Sequence, residues 1–335
     1  MTKRILAMIG LFLLTSCSNS PTEYSLMEIV PGDAHSSSYV AYHDKEGNLI
    51  KKEKLPKEEA VGYGYFKQQG NLVYFDNAYP SAHSMMVYDY DQHELVKLHD
   101  LDQSYEYINP FSEKVILTYN DTVSIVDDSI SWQKLDANTR ISGSVVFKDK
   151  IYVYCQPYGL FPQEDKIQIY DNRFKILSEI EITKLGLLSG YSVDFYQSEN
   201  QLFIVGNNLE KDIEILRVNE ELQVLDSMIL PNSADGTVMG MFEKSPGDLY
   251  LEVASSLIRL QLKEESMEIV EAFNIDDNKI VGMNFQEEKF FLSLINPQSE
   301  KTTLTIYDMD MNFLKSYELE RHRRLLPRLI DDVIK

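Results

Sequence analysis

Residues 302–320 read TTLTIYDMDMNFLKSYELE, with apolar Leu304 and Ile306 before an acidic stretch and Phe313, Leu314, Tyr317 and Leu319 after it. Two alternating apolar runs around a short polar turn are the pattern of a β-hairpin. Asp308, Asp310 and Asn312 share the opening spacing of a calcium loop, but Phe313 stands where that loop needs Gly and Leu319 where it needs Glu. An Asx-type hairpin turn, in which the side chain accepts hydrogen bonds from the backbone just ahead, accounts for these residues.

The unit recurs. A short apolar strand after a tight polar turn is found at 70–75, 113–117, 149–153, 200–205, 247–251 and 288–292. Taking Leu72, Val115, Ile151, Leu202, Leu249 and Phe290 as equivalent, the steps are 43, 36, 51, 47 and 41 residues. Each strand has a partner before it and a second hairpin after it, as in Val87-Tyr88-Asp89, Ile169-Tyr170-Asp171 and Ile306-Tyr307-Asp308. Four strands every 40 to 50 residues is the repeat of a propeller blade. A β-sandwich has no reason to repeat at that period. The expectation is an all-β chain whose residues 38–320 form a β-propeller of four-stranded antiparallel sheets. Six units are complete, and a front hairpin over 39–50, with 24–30 as a further strand, makes seven blades; the alternative is six plus an added segment.

Composition agrees. The 21 Tyr and 15 Phe suit half-buried strands. A net charge of −21, from 32 basic and 53 acidic residues, repels nucleic acid and anionic lipid. No nucleic-acid partner is expected.

The amino terminus has another character. Lys3 and Arg4 precede an apolar run over residues 5–14, followed by Leu14-Thr15-Ser16-Cys17. Ten apolar residues are too few for a spanning helix but fit a secretory signal. Charge, apolar run, small residues and Cys in this order resemble the lipobox of bacterial lipoproteins. That resemblance implies removal of residues 1–16, acylation of Cys17 with palmitate-type chains, and a membrane partner reached through the lipid. Ser18 fits the outer-membrane pattern, so the implied location is an outer-membrane lipoprotein facing the periplasm, with the cell surface as the alternative. Loss of Lys3 and Arg4 leaves 30 basic against 53 acidic residues, a net charge of −23. With Cys17 lipidated, Cys155 stands alone in an oxidising compartment, and its place in a strand pattern marks it as a buried, inert thiol. Residues 17–37 read as a tether.

Signal and repeat together resemble the bacterial propeller lipoproteins, many of them from Bacteroidota, that include the six-bladed TolB-like and seven-bladed YVTN-type proteins. The resemblance spans about residues 24–320 and lies in repeat grammar, so it implies fold and address rather than an activity. Beyond the repeat, Leu325, Leu326, Leu329, Ile330, Val333 and Ile334 follow a basic Arg cluster at helical spacing. Residues 321–335 are therefore expected to form a short amphipathic helix.

If strands A to D of each blade run alternately up and down, the A–B and C–D turns share one face, and the B–C and D–A connections share the other. The A–B turns are short and plain; the B–C loops, over 76–84, 156–165, 207–212 and 296–300, are longer and chemically richer. Binding residues gather on loops carried by a rigid scaffold. Tyr79, His83, Tyr158, Phe161, Asn207 and Asn296 are accordingly the ligand-binding candidates.

No zinc-spaced His/Cys set, P-loop, dinucleotide fingerprint or serine-hydrolase elbow occurs, so neither metal nor cofactor is expected and no catalytic residue can be named. The leading expectation is a non-enzymatic envelope propeller that binds a protein or small ligand. The alternative is an envelope enzyme acting on a glycan or lactone in the central funnel.

Overall fold

The computed structural model describes residues 26–30, 39–44, 48–54, 66–69, 72–77, 83–89, 94–101, 107–111, 114–119, 121–126, 130–134, 139–157, 164–198, 200–230, 238–253, 255–264, 266–275, 278–286, 288–299, 301–318 and 328–330. Among them, every regular element but one is a strand, the exception being the 3₁₀ turn Ile182–Leu185.

The strands make seven four-stranded antiparallel sheets. Sheets two to seven each take four consecutive strands. In order these are Phe66–Gln69, Leu72–Asn77, His83–Asp89 and Glu94–Leu101; Tyr107–Phe111, Lys114–Tyr119, Thr122–Val126 and Ile130–Lys134; Thr139–Phe147, Lys150–Pro157, Lys166–Tyr170 and Ile176–Glu181. They continue as Asp194–Gln197, Leu202–Asn207, Ile213–Val218 and Val224–Ile229; Val238–Ser245, Asp248–Val253, Ser256–Leu262 and Met267–Asn274; Lys279–Gln286, Lys289–Ile295, Thr302–Asp308 and Phe313–Glu318.

Burial within each sheet follows strand position. Middle strands such as Asp248–Val253 are buried throughout, because both faces meet a neighbouring sheet. Fourth strands such as Leu49–Lys54 and Ile176–Glu181 are almost wholly exposed, as an outer rim must be. First strands of successive sheets touch one another, which places them innermost.

The core is a series of layers between successive sheets. Val87 and Met85 of the second sheet pack with Val115 and Leu117 of the third; Ile116 and Ile125 of the third pack with Ile151 and Val153 of the fourth. The series continues through Tyr152 and Ile169 with Ile204 and Leu216, then Phe203 and Ile215 with Leu251 and Leu260. Between the last two sheets, Phe285 lies 5.0 Å from both Phe242 and Phe290, and Phe290 lies 4.7 Å from Tyr250. Offset and tilted rings at these distances are favourable aromatic contacts. Alternate side chains on each buried strand thus serve two different layers, which is why the middle strands lack polar alternation.

The first sheet meets one expectation and changes another. Leu26–Val30, within the further strand expected over 24–30, pairs with Tyr39–His43 as a full member of the sheet, so the stretch 17–37 is not tether throughout. Its other edge is taken by Arg328–Ile330, in register Met27↔Ile330, Glu28↔Leu329 and Ile29↔Arg328, so this part of the expected helix is strand instead. Leu26–Val30 would otherwise present a row of unpaired N–H and C=O groups beside a packed sheet, and pairing satisfies them. Arg328–Ile330 also contacts Lys279–Gln286 and Lys289–Ile295, so this strand brings the first sheet against the seventh. The rest of 321–335, like the signal segment with Cys17, lies outside the described residues.

Candidate functional site

Four described C–D turns are built alike. Asp44, Asp171, Asn219 and Asp308 each donate their backbone N–H to the carbonyl four residues on, at 3.0 to 3.1 Å. Their Oδ1 atoms accept backbone N–H groups of the same turn, Asn312 to Asp308 at 2.8 Å and Gln223 to Asn219 at 2.9 Å. In the last three of these turns the fourth residue sits in the left-handed region, with φ of 59° at Phe174, 60° at Leu222 and 58° at Met311. The acidic stretch of 308–312 is therefore an Asx turn, and its carboxylate is spent on the backbone. That hydrogen bonding holds the Asp308 carboxyl below the usual carboxylate range, through the Asn312 amide first.

On the opposite face the described connections are not all alike. Between the fourth and fifth sheets a polar network ties the B–C loop to the D–A connection. Asp165, 5% exposed, accepts Tyr154 Oη–H at 2.6 Å and the Gly190 N–H at 2.7 Å, while Ile182 donates to its carbonyl at 2.9 Å. Gln156 reaches Tyr154 Oη at 3.2 Å and accepts the Ser142 hydroxyl. Burial first, then the hydrogen bond to Asp165, raises the Tyr154 phenol far above its ordinary pKa, so it remains a donor. Gly190, at φ 87°, supplies the left-handed conformation that presents its N–H to the carboxylate.

Three innermost strands carry a bulge just before a glycine, at Ile141/Gly143, Val238/Gly240 and Ile280/Gly282. A bulge bends the strand and re-aims its side chains. The glycine admits a neighbour: a Cβ on Gly143 would lie 2.9 Å from the Val193 carbonyl, and one on Gly240 3.2 Å from Glu252 Oε2. The space given up at Gly143 brings in the backbone just ahead of Asp194; that at Gly240 is filled by the Glu252 carboxylate.

Asp194 and Glu252 both act on Tyr196. Burial, then the negative charges of these two residues, push the Tyr196 phenol well above its ordinary range, and its hydroxyl donates to the Val238 carbonyl at 3.3 Å. Burial alone pushes the Asp194 carboxyl up to about 6. A cleft of about 30 Å³ opens beside it, lined by Ser192, Asp194, Val205, Gly206, Asn207, Ile213 and Val238. This volume admits one water-sized group. A carboxyl that titrates near neutrality at the mouth of an inner strand can exchange a proton with such a group.

Of the six sequence-derived candidates, His83, Asn207 and Asn296 fall on described residues, and they lie at three different sheets. Asn207 lines the Asp194 cleft and donates its amide to the Lys211 carbonyl at 2.9 Å. The loop that follows it, 208–212, repeats the Asx closure of the plain face, Asn208 N–H to Asp212 carbonyl at 2.9 Å. Asn296 shapes its own turn by accepting from Gln298 and Ser299 N–H, and donates to Asn278 at 3.3 Å. His83 is the first residue of a strand, opposite Leu101, rather than part of a loop. Tyr79, Tyr158 and Phe161 lie outside the described residues. Cys155 is fully buried and its thiol is pushed up to about 12 by desolvation, as the strand pattern implied.

Nothing in the sequence singles out Asp194 or Glu252 among its 53 acidic residues, or Tyr196 among its 21 tyrosines. The signal that could have found them is the recurrence Ile141-Ser142-Gly143, Val238-Met239-Gly240 and Ile280-Val281-Gly282 at the start of inner strands. Among the described residues no three His, Cys, Asp or Glu side chains are placed to hold a metal ion, and no helix is long and apolar enough to cross a membrane.

No protein-family model and no curated protein matches the chain. Solved structures do. The periplasmic gluconolactonase of Pseudomonas aeruginosa aligns with a TM-score of 0.63 at 11% identity, over 93% of this chain and 99% of that one. A putative 6-phosphogluconolactonase from Bacteroides fragilis aligns at 0.59 and 11% identity, over 93% and 98%. A quinoprotein alcohol dehydrogenase-like protein from Bacteroides thetaiotaomicron aligns at 0.59 and 10%, over 88% and 76%. At such identities the likeness is one of fold: the chain has a propeller-like all-β architecture.

Proposed function

We propose that the chain is a seven-bladed, lipid-anchored propeller of the bacterial envelope that binds a small ligand on the face carrying Asp194. The seven sheets, with the carboxyl-terminal strand completing the first, support the blade number. The lipobox-like run ending at Cys17 supports the anchor and an outer-membrane, periplasm-facing location. The observation that carries the binding site is the cleft at Asp194, where an inner-strand carboxyl is raised to about 6 by burial and the bulge at Gly143 admits the backbone just ahead of it. A cleft of about 30 Å³ takes one functional group of a ligand, whose remainder lies on the B–C loops.

A second reading, hydrolysis of a lactone, is favoured by the same carboxyl, because a group titrating near neutrality can act as a general base toward water. The gluconolactonase structures share the fold only. Both readings are tested by one preparation. The detergent-solubilised lipoprotein and its Cys17→Ala counterpart are compared for membrane association and envelope co-purification, then assayed with glucono-δ-lactone from pH 5 to 8. Association lost in Cys17→Ala, with a bound small molecule identified by mass spectrometry, is the expected result. Equal membrane association of the two overturns the anchor. Lactone turnover that rises through pH 6 and is lost in Asp194→Asn moves the assignment to the enzyme.

A further inference from the structure

The larger cleft lies on the other face. Between the fifth and sixth sheets, at the level of the A–B and C–D turns, a cleft of about 270 Å³ is lined by Ser198, Asn200, Arg217, Glu243, Lys263 and Glu264 among others. Arg217 is 5% exposed. Its terminal nitrogens donate to the carbonyls of Lys263 and Glu264, each at 3.0 Å, while its Nε–H has no acceptor among the described residues. Asp226 stands opposite in strand register, yet makes no ion pair with it and keeps Oδ2 buried without a partner.

A guanidinium taken out of water requires a compensating anion or a full set of acceptors. Two backbone carbonyls satisfy part of the fork, and among the described residues no carboxylate forms an ion pair with it. Of the lining acids, Glu243 is engaged, its Oε1 accepting the Gly247 N–H at 3.0 Å, and the Lys263 ammonium is drawn to Glu268 at 2.5 Å. Arg217 is therefore the buried cation of an otherwise mixed cleft.

We infer that this cleft binds a small hydroxylated carboxylate, its carboxyl group against the Arg217 guanidinium and its hydroxyls against Asn200, Glu243 and Glu264. A planar guanidinium matches a carboxylate in its own plane. Room for about nine waters at about 30 Å³ each suits a molecule of monosaccharide size, and the two acids disfavour a polyanion.

The test follows the arginine side-chain Nε–H resonances of the intact protein, with Arg217 assigned through Arg217→Lys, during titration with acetate, D-glucuronate, D-glucose and inorganic phosphate. Acetate and D-glucuronate shift the Arg217 resonance, and D-glucuronate binds at least about tenfold more tightly than D-glucose. Asn200→Phe, which fills the cleft without touching the core, weakens D-glucuronate by about tenfold or more. Equal responses to D-glucuronate and D-glucose, an unchanged affinity in Asn200→Phe, a response to phosphate alone, or an unmoved Arg217 resonance with every probe overturns the inference.

Discussion

The two faces that meet the fifth and sixth sheets solve the same packing problem with opposite chemistry. On the loop-rich face a carboxyl, Asp194, is buried beside a cleft of about 30 Å³, flanked by the irregular connections of neighbouring sheets. On the plain face a guanidinium, Arg217, is buried beside a cleft of about 270 Å³ framed by short, repeated turns. Loop length is therefore a poor guide to cavity size.

The contrast can be broken at graded cost. Asp165→Ala removes the acceptor of Tyr154 and Gly190 and leaves buried donors unsatisfied, so it is expected to lower unfolding free energy by about 4 kcal/mol in urea melts. A loss below about 1 kcal/mol would mean that the network does not fasten the loop-rich face. Asp194→Asn acts in the other direction. The folded protein binds the Asp194 proton more tightly than the unfolded chain, so stability falls as pH rises between about 4 and 6. Replacing the carboxyl is expected to raise stability by up to about 3 kcal/mol at pH 7 and by almost nothing at pH 4. A gain independent of pH would remove Asp194 as the titrating group.

Gly143→Ala forces a Cβ against the Val193 carbonyl, 2.9 Å away. A cost of about 2 kcal/mol, with a shifted Asp194 titration by carboxyl NMR, is expected because backbone must move; stability loss with an unmoved titration would separate the bulge from the site. Asn219→Ala on the plain face deletes one turn's side-chain acceptor and is expected to cost about 1 kcal/mol, leaving the Asp194 titration unchanged.

Much of the architecture was legible in the repeat. Leu72, Val115, Ile151, Leu202, Leu249 and Phe290 all fall in second strands of consecutive sheets, because a strand buried on both faces needs an unbroken apolar run wherever it occurs. The Asx reading of Asp308 held for a similar reason, since turn chemistry is local. The site was less legible. Asn207 was chosen for its loop and does line the Asp194 cleft, yet the residues beside it lie on strands, and their roles depend on which sheet packs next. Arg217 lies in a strand of mostly buried apolar residues, and no neighbour in sequence marks it.

Sequence by itself determined the strand period, the turns and the four-strand unit, because these depend on alternation and on side-chain bonding within a few residues. Only the tertiary structure decided where the chain closes and which polar groups are buried. Arg328–Ile330 becomes a strand because Leu26–Val30, some three hundred residues earlier, offers an open edge. Asp194 and Arg217 acquire their character because burial, which no local pattern records, sets the cost of a charge.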